Sequence, residues 1–406
     1  MQAIIGNPEH PEYGTVKISF PISDDKYAEC IDALEAMEIG GVTARDCEII
    51  KISDEIPALN CLEGCCVNLD ELNTLERLLS VHAVNGDFEK FAALAASRKE
   101  SDITGLINLA LCSEKATVIT DFSKLEEAGE DHYLTINGGH APSNRRDYYA
   151  IAEELIASGK GQVTPYGVLY DNGLEVEQIY KGGNLPPIGD SHRLVEAVLT
   201  PTVNPQDRDI LDLFLPMPEK QLERALDRAG FETSGDYTVE LEYMELPPEV
   251  NQIIERDPIS LYDVNKLCQI VMQMDGKQIE TLAAAVLMAK PERVSEVIGL
   301  AKQLKEFEFL PGVSSEKEYG EYLIRESGQY NYDENLDPYY EYDKCGREQL
   351  ESEQGAFTEL GYVAYHGRLT LKELMMGNPV NDWEAEKQQQ LPPRKHNKTR
   401  QRGMER

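Results

Sequence analysis

No stretch of the 406 residues approaches the ~18 consecutive apolar residues that a membrane-spanning helix needs, so no span is expected. The opening, MQAIIGNPEHPEYG, holds neither a basic cluster nor an apolar run, and no secretory leader is expected there. Tryptophan occurs once. Positive charge is scarce: 39 Lys and Arg stand against 73 Asp and Glu, a formal net charge of −34. That balance argues against direct nucleic-acid binding or anionic-membrane binding by the acidic body. The eight cysteines are scattered, which fits reduced thiols in a cytoplasmic protein better than a disulfide framework. Neither G-x-x-x-x-G-K-[ST] nor G-x-G-x-x-G occurs, so no Gly-rich phosphate loop is read.

Metal and catalytic constellations are equally thin. Cys61-x-x-x-Cys65-Cys66 lacks the second short pair that structural zinc requires, and His82 is the nearest histidine. Asp333, Glu334 and Asp337 lack the alternation and central glycine of a calcium loop. His132, Gly138-Gly139-His140 and Asp190-Ser191-His192 are the suggestive histidine contexts, but loose histidines do not make a triad. No cofactor, no metal and no enzymatic activity are expected.

What the chain does hold is acid among tyrosines. Residues 316–359 contain 13 carboxylates against Lys317, Arg325, Lys344 and Arg347, with seven tyrosines between positions 319 and 342. A disordered acidic tail would lack those rings, so a folded surface presenting carboxylates is expected. Its candidate residues are Glu316, Glu318, Glu321, Glu326, Asp333, Glu334, Asp337, Glu341, Asp343, Glu348, Glu351 and Glu353.

The chain also echoes itself. Strands are expected over 16–20, 47–52 and 118–122. Helices are expected after Ser23 or Asp24, after Asn68, and over 88–96, 103–111 and 148–157. Ser123-x-x-Glu126 reads as a capping box opening a one-turn helix that stops at Gly129. A hairpin is expected near 163–180, turning at Asp171-Asn172-Gly173. The order then recurs. Leu215-Pro216 echoes Phe20-Pro21, and Ser260-Leu261 echoes Asn68-Leu69. Gly129 returns as Gly320, while Gly161, Thr164 and Gly167 return as Gly355, Thr358 and Gly361. The expectation is an elongated, multi-domain α+β protein made by tandem duplication, with repeats over about 15–185 and 210–367. Its domains are read as 1–204, 205–367 and a basic, disordered tail over 368–406. The first two each carry a net charge of −19, and the tail carries +4.

Asp337-Pro338-Tyr339-Tyr340-Glu341-Tyr342-Asp343 leads into Gly346-Arg347-Glu348, then Gly355, Phe357-Thr358 and Gly361-Tyr362-Val363. This run resembles the C-terminal signature of the ArdA antirestriction proteins, and Glu318-Tyr319-Gly320 fits the helix that precedes it. The resemblance covers 210–367 and is weaker over 15–185. Glu348-Gln349 stands where an aspartate and an apolar residue are usual, and residues 150–157 replace the Gly-Arg segment in the first half. The resemblance implies an acidic α+β DNA mimic, carried on conjugative plasmids and transposons. Such a protein occupies the DNA-binding cleft of type I restriction-modification enzymes. It implies no catalysis, no cofactor, and a homodimer or, given the repeat, a single-chain pseudo-dimer. The alternative class is a non-mimic acidic adaptor of a conjugative element that binds a basic partner.

Overall fold

The computed structural model describes residues 1–53, 57–143, 146–188, 193–203, 209–256 and 260–376. Of the tail expected to be disordered over 368–406, residues 371–375 instead form a short helix capped by Thr370; the residues beyond 376 and the Asp190-Ser191-His192 context lie outside the described residues. The chain is a mixed α+β protein in which every strand pairing is antiparallel. It divides into two compact units, Met1–Glu245 and Leu246–Arg406.

The first unit opens with β1 (Gln2–Gly6), β2 (Thr15–Ser19), α1 (Tyr27–Glu35), β3 (Cys47–Ser53) and β4 (Cys66–Val67), in a sheet of order β2-β1-β3-β4. β1 is central and was not expected from the sequence. Ala3 and Ile5 alternate into the core from it, while β2 and β3 satisfy its backbone on either side. Three helices follow: α2 (Leu69–Asn85), α3 (Phe88–Arg98) and α4 (Ile103–Cys112). The Asn68 cap is made as expected, its side chain accepting from the Asp70 and Glu71 amides. Leu69, Leu72, Leu75 and Leu79 form the buried stripe below it.

Next come β5 (Thr117–Ile119), α5 (Leu125–Ile136), α6 (Tyr148–Ala157), β6 (Gln162–Thr164) and β7 (Gly167–Tyr170), in a sheet of order β5-β7-β6. Two expectations are corrected here. α5 runs through Gly129 instead of stopping at it, because Gly129 is where α6 crosses: an added Cβ would sit 1.8 Å from the Tyr148 carbonyl oxygen. The hairpin is confined to 162–170 and turns between Thr164 and Gly167. Asp171-Asn172-Gly173 does turn, with Asn172 and Gly173 at positive φ, but 174–180 forms no strand. That segment packs Leu174 and Val176 on the core, and Asn108 grips both backbone groups of Tyr180 at 2.8 Å. The unit closes with β8 (Val195–Pro201), β9 (Leu211–Leu215), α7 (Glu219–Arg228) and β10 (Tyr237–Met244), in a sheet of order β10-β8-β9. β8 was not expected from the sequence, and it ends in residues 200–205, which read as loop or linker. Its alternation buries Val195, Ala197 and Leu199. The Phe20-Pro21 and Leu215-Pro216 bonds, set in register by the sequence, are both cis.

The second unit holds α8 (Pro248–Arg256), α9 (Leu261–Val271), α10 (Gly276–Ala289) and α11 (Val294–Lys302). It continues with β11 (Phe307–Pro311), α12 (Glu316–Arg325), α13 (Tyr342–Ser352), β12 (Gln354–Phe357), β13 (Gly361–Tyr365) and α14 (Leu371–Met375). Its sheet has the order β11-β13-β12. β13 is central and buried along its whole length. No helix among the described residues is long and apolar enough to cross a membrane.

Candidate partner-binding surface

The acidic stretch folds as a pair of helices laid over a three-stranded sheet. Ser315 caps α12 by accepting from the Glu318 amide, and Glu318 returns the contact to the Ser314 amide at 2.7 Å. α12 and α13 then meet backbone to backbone. A Cβ on Gly320 would lie 1.9 Å from the Tyr342 carbonyl oxygen, and one on Gly346 would lie 1.9 Å from that of Glu316. No side chain fits at either point, so the two glycines set the separation of the helices. Replacing Gly346 by Ala gains about 1 kcal/mol of helix propensity. The methyl group meets backbone that cannot rotate away, and overpacking of this kind costs about 1–3 kcal/mol or more. Net destabilisation of the second unit is expected in urea unfolding, and an unchanged or raised midpoint would contradict the crossing.

Beneath the helices, Tyr319 stacks on Tyr362 with ring centroids 4.1 Å apart, and Leu323 and Ala364 complete the small core. Both phenols donate to Glu353, Tyr319 at 3.2 Å and Tyr362 at 3.1 Å, and Gln349 adds its amide. Burial first, then the neighbouring Tyr362 hydroxyl and after it the Glu353 carboxylate, push the Tyr319 phenol well above its usual range. Glu353 is therefore a structural acceptor for the core.

A second knot sits at the loop between the helices. Asp337 accepts from Tyr342 and Arg325, each at 2.6 Å, and from Tyr332 at 2.8 Å. The Arg325 guanidinium also lies over the Tyr342 ring, 5.2 Å from its centroid. Hydrogen bonds from Tyr342, Arg325 and Tyr332 hold the Asp337 carboxyl down to about 2. Because the folded value is depressed, the knot's contribution is complete above the ordinary carboxylate range, about 4, and is lost as pH falls toward 2. Carbon NMR titration of Asp337 should show that low midpoint. An ordinary midpoint would contradict the three-donor geometry.

The twelve candidate carboxylates separate by environment. Glu316, Glu321, Asp337 and Glu353 are half-buried, and the other eight are exposed. Glu316 pairs with Arg347 at 2.9 Å, and Glu341 pairs with Lys344 at 3.4 Å. Asp333 caps the Asn335 amide. Glu326, Glu334, Asp343, Glu348 and Glu351 are exposed and make no side-chain hydrogen bond or ion pair with another described residue. Glu348 and Glu351 lie one turn apart on α13, the spacing at which helical neighbours stand ~5–6 Å apart. Sequence reasoning placed all twelve on one surface; composition alone could not separate the structural acids from the solvent-facing ones.

The first unit repeats the helix pairing. Gly129 of α5 meets α6 at Tyr148 and Ala152, and the pair presents exposed Glu126, Glu127, Glu130, Glu153 and Glu154. These were legible only as part of the first half's net charge. The histidine contexts fall elsewhere. His132 contacts the buried Thr117 hydroxyl at 2.9 Å, and burial lowers its pKa, favouring the neutral ring. His140 is exposed. The Cys61 thiol donates to the Ala58 carbonyl oxygen at 3.2 Å, and Cys65 donates to that of Cys61. Among the described residues no group of three or more His, Cys, Asp or Glu could hold a metal ion.

Compared with known proteins, the chain matches no protein-family model and no curated protein.

Proposed function

We propose that the chain inhibits type I restriction-modification enzymes by offering carboxylates in place of DNA phosphates, in the manner of the ArdA antirestriction proteins. The observation that carries this reading is the set of five exposed carboxylates, Glu326, Glu334, Asp343, Glu348 and Glu351, that make no side-chain hydrogen bond or ion pair with another described residue, on and between two helices of fixed spacing. Duplex DNA carries one negative charge per ~1.7 Å of axis, and a groove built to bind it is lined with Lys and Arg. Carboxylates already held apart by a folded core meet such a groove with little ordering cost, and complementarity of potential steers the encounter. The tyrosine and glycine pattern that resembles ArdA falls on the residues that hold this surface: Gly320, Gly346, Tyr319, Tyr342 and Tyr362.

The test is a restriction assay with a purified type I enzyme. Premixing enzyme and chain should suppress cleavage of unmodified DNA, while an unrelated protein of similar negative charge should not. Full cleavage in the presence of excess chain would contradict the proposal, and is what a non-mimic adaptor would give.

A further inference from the structure

We infer that the chain consists of two tandem copies of one α+β unit, and that Asp70 with Arg224 and Arg228 forms a one-way clamp that pairs the copies within a single chain. The inference does not depend on the proposed partner.

The two copies share most of their parts in the same order; the first adds β4 and the second adds α8. Sheets β2-β1-β3 and β9-β8-β10 each place their first strand in the centre. Helices α2, α3 and α4 follow in the first and α8, α9, α10 and α11 in the second, and α3 and α10 both end on a lysine in the left-handed region, Lys99 at φ 53° and Lys290 at φ 52°. Non-glycine residues are uncommon there. Sheets β5-β7-β6 and β11-β13-β12 share a strand order, each with a helix pair inserted after its first strand. In each, a threonine hydroxyl, Thr164 or Thr358, donates to the carbonyl oxygen of a positive-φ glycine, Gly167 or Gly361, at 2.8 Å. Agreement in such local details is harder to reach by chance than agreement in element order.

The opening domain of the second copy, β8 to β10, belongs to the same compact unit as the first copy. There α1 and α7, the corresponding helices, pack together. Lys220 of α7 bonds Asp32 of α1 and lies 3.7 Å from Glu35. Deeper in, Arg224 reaches Asp70 at 2.8 Å and 3.1 Å, and Tyr27 donates to the same carboxylate at 2.6 Å. Arg228 lies 3.5 Å from Asp70 and donates to Asn68 and to the Val42 carbonyl oxygen.

The clamp is not shared by the two copies. Counted from Pro21 and Pro216, Arg224 corresponds to Glu29 and Arg228 to Ala33. Counted from Asn68-Leu69 and Ser260-Leu261, Asp70 corresponds to Tyr262. Two first copies would set Glu29 toward Asp70, with like charges opposed. Two second copies would bring the arginines to a tyrosine with no carboxylate. Only a first copy with a second is matched, so specificity comes from the mismatched pairs as well as the matched one. That face of the first copy is covered within the chain and is closed to a second chain.

Sedimentation equilibrium of the full chain should therefore give a monomer at every loading concentration, and a dimer would overturn the inference. Hydrogen exchange then tests the clamp. Asp70→Asn and Arg224→Gln should each speed exchange in α1 and α7 by roughly tenfold or more. The double variant should cost clearly less than the two singles combined, as coupled partners do. Strict additivity would overturn the clamp. Should the buried variants fail to fold, Lys220→Glu at the exposed seam should still speed exchange in α1 and α7 alone. No change there would overturn the pairing.

Discussion

Neutralising Glu326, Glu334, Asp343, Glu348 and Glu351 together, as Gln or Asn, is expected to weaken inhibition of a type I enzyme on the order of 10²–10³-fold, while each change alone is nearly silent. An exposed charge pair contributes about 0–1 kcal/mol, and tenfold in affinity is about 1.4 kcal/mol. One lost carboxylate is then at the edge of detection, whereas five lost together sum over a spread field with no hot spot. The five make no side-chain hydrogen bond or ion pair with other described residues, so the multiple variant should fold as the parent does. Removing mutual repulsion should leave its unfolding midpoint equal or higher. A single neutralisation that abolished inhibition would point to a specific recognition pocket and against a distributed mimic.

Asp70→Asn is expected to destabilise the first unit by about 3–5 kcal/mol. Asp70 is only 8 % exposed, and its two arginines are 10 % and 4 % exposed. Breaking a buried pair from one side leaves charge in a low-dielectric site without its counter-ion, which carries a cost of that size. Tyr27→Phe removes one hydrogen bond to a charged group and should cost less, about 1.5–3 kcal/mol. Urea unfolding followed by circular dichroism, with the two units resolved as separate transitions, would check both. A shift in the second unit's transition, or none in the first, would contradict the assignment. The single tryptophan is Trp383, outside the described residues, so its fluorescence is not the probe.

What could be read from the sequence was local. The Asn68 cap, the leucine stripe below it and the helices at 88–96 and 103–111 follow from capping chemistry and a 3.6-residue period, and the structure forms them with ends shifted by a residue or two. The role of Asp70 was not legible, because its partner Arg224 lies 154 residues along the chain. Gly129 misled for a physical reason. Glycine signals both a helix end and a close backbone approach, and only the position of α6 decides between them. The turn at 171–173 was real, but the strand expected after it lost to Asn108, which binds the Tyr180 backbone from the helix α4. Within the acidic surface the sequence supplied the residue types. It could not say that Glu353 and Asp337 hold tyrosines in place while Glu348 and Glu351 face solvent, since that depends on where β13 and the interhelical loop lie.

The central claim is that carboxylates fixed on this fold take the place of DNA phosphates in an enzyme's groove. A competition titration tests it most directly: labelled duplex bound to a purified type I methyltransferase, with the full chain added at two ionic strengths. Mutually exclusive binding is predicted, with displacement complete at low salt and weaker at high salt, because Lys and Arg of the groove must exchange one polyanion for the other. A stable complex holding enzyme, duplex and chain together would contradict it.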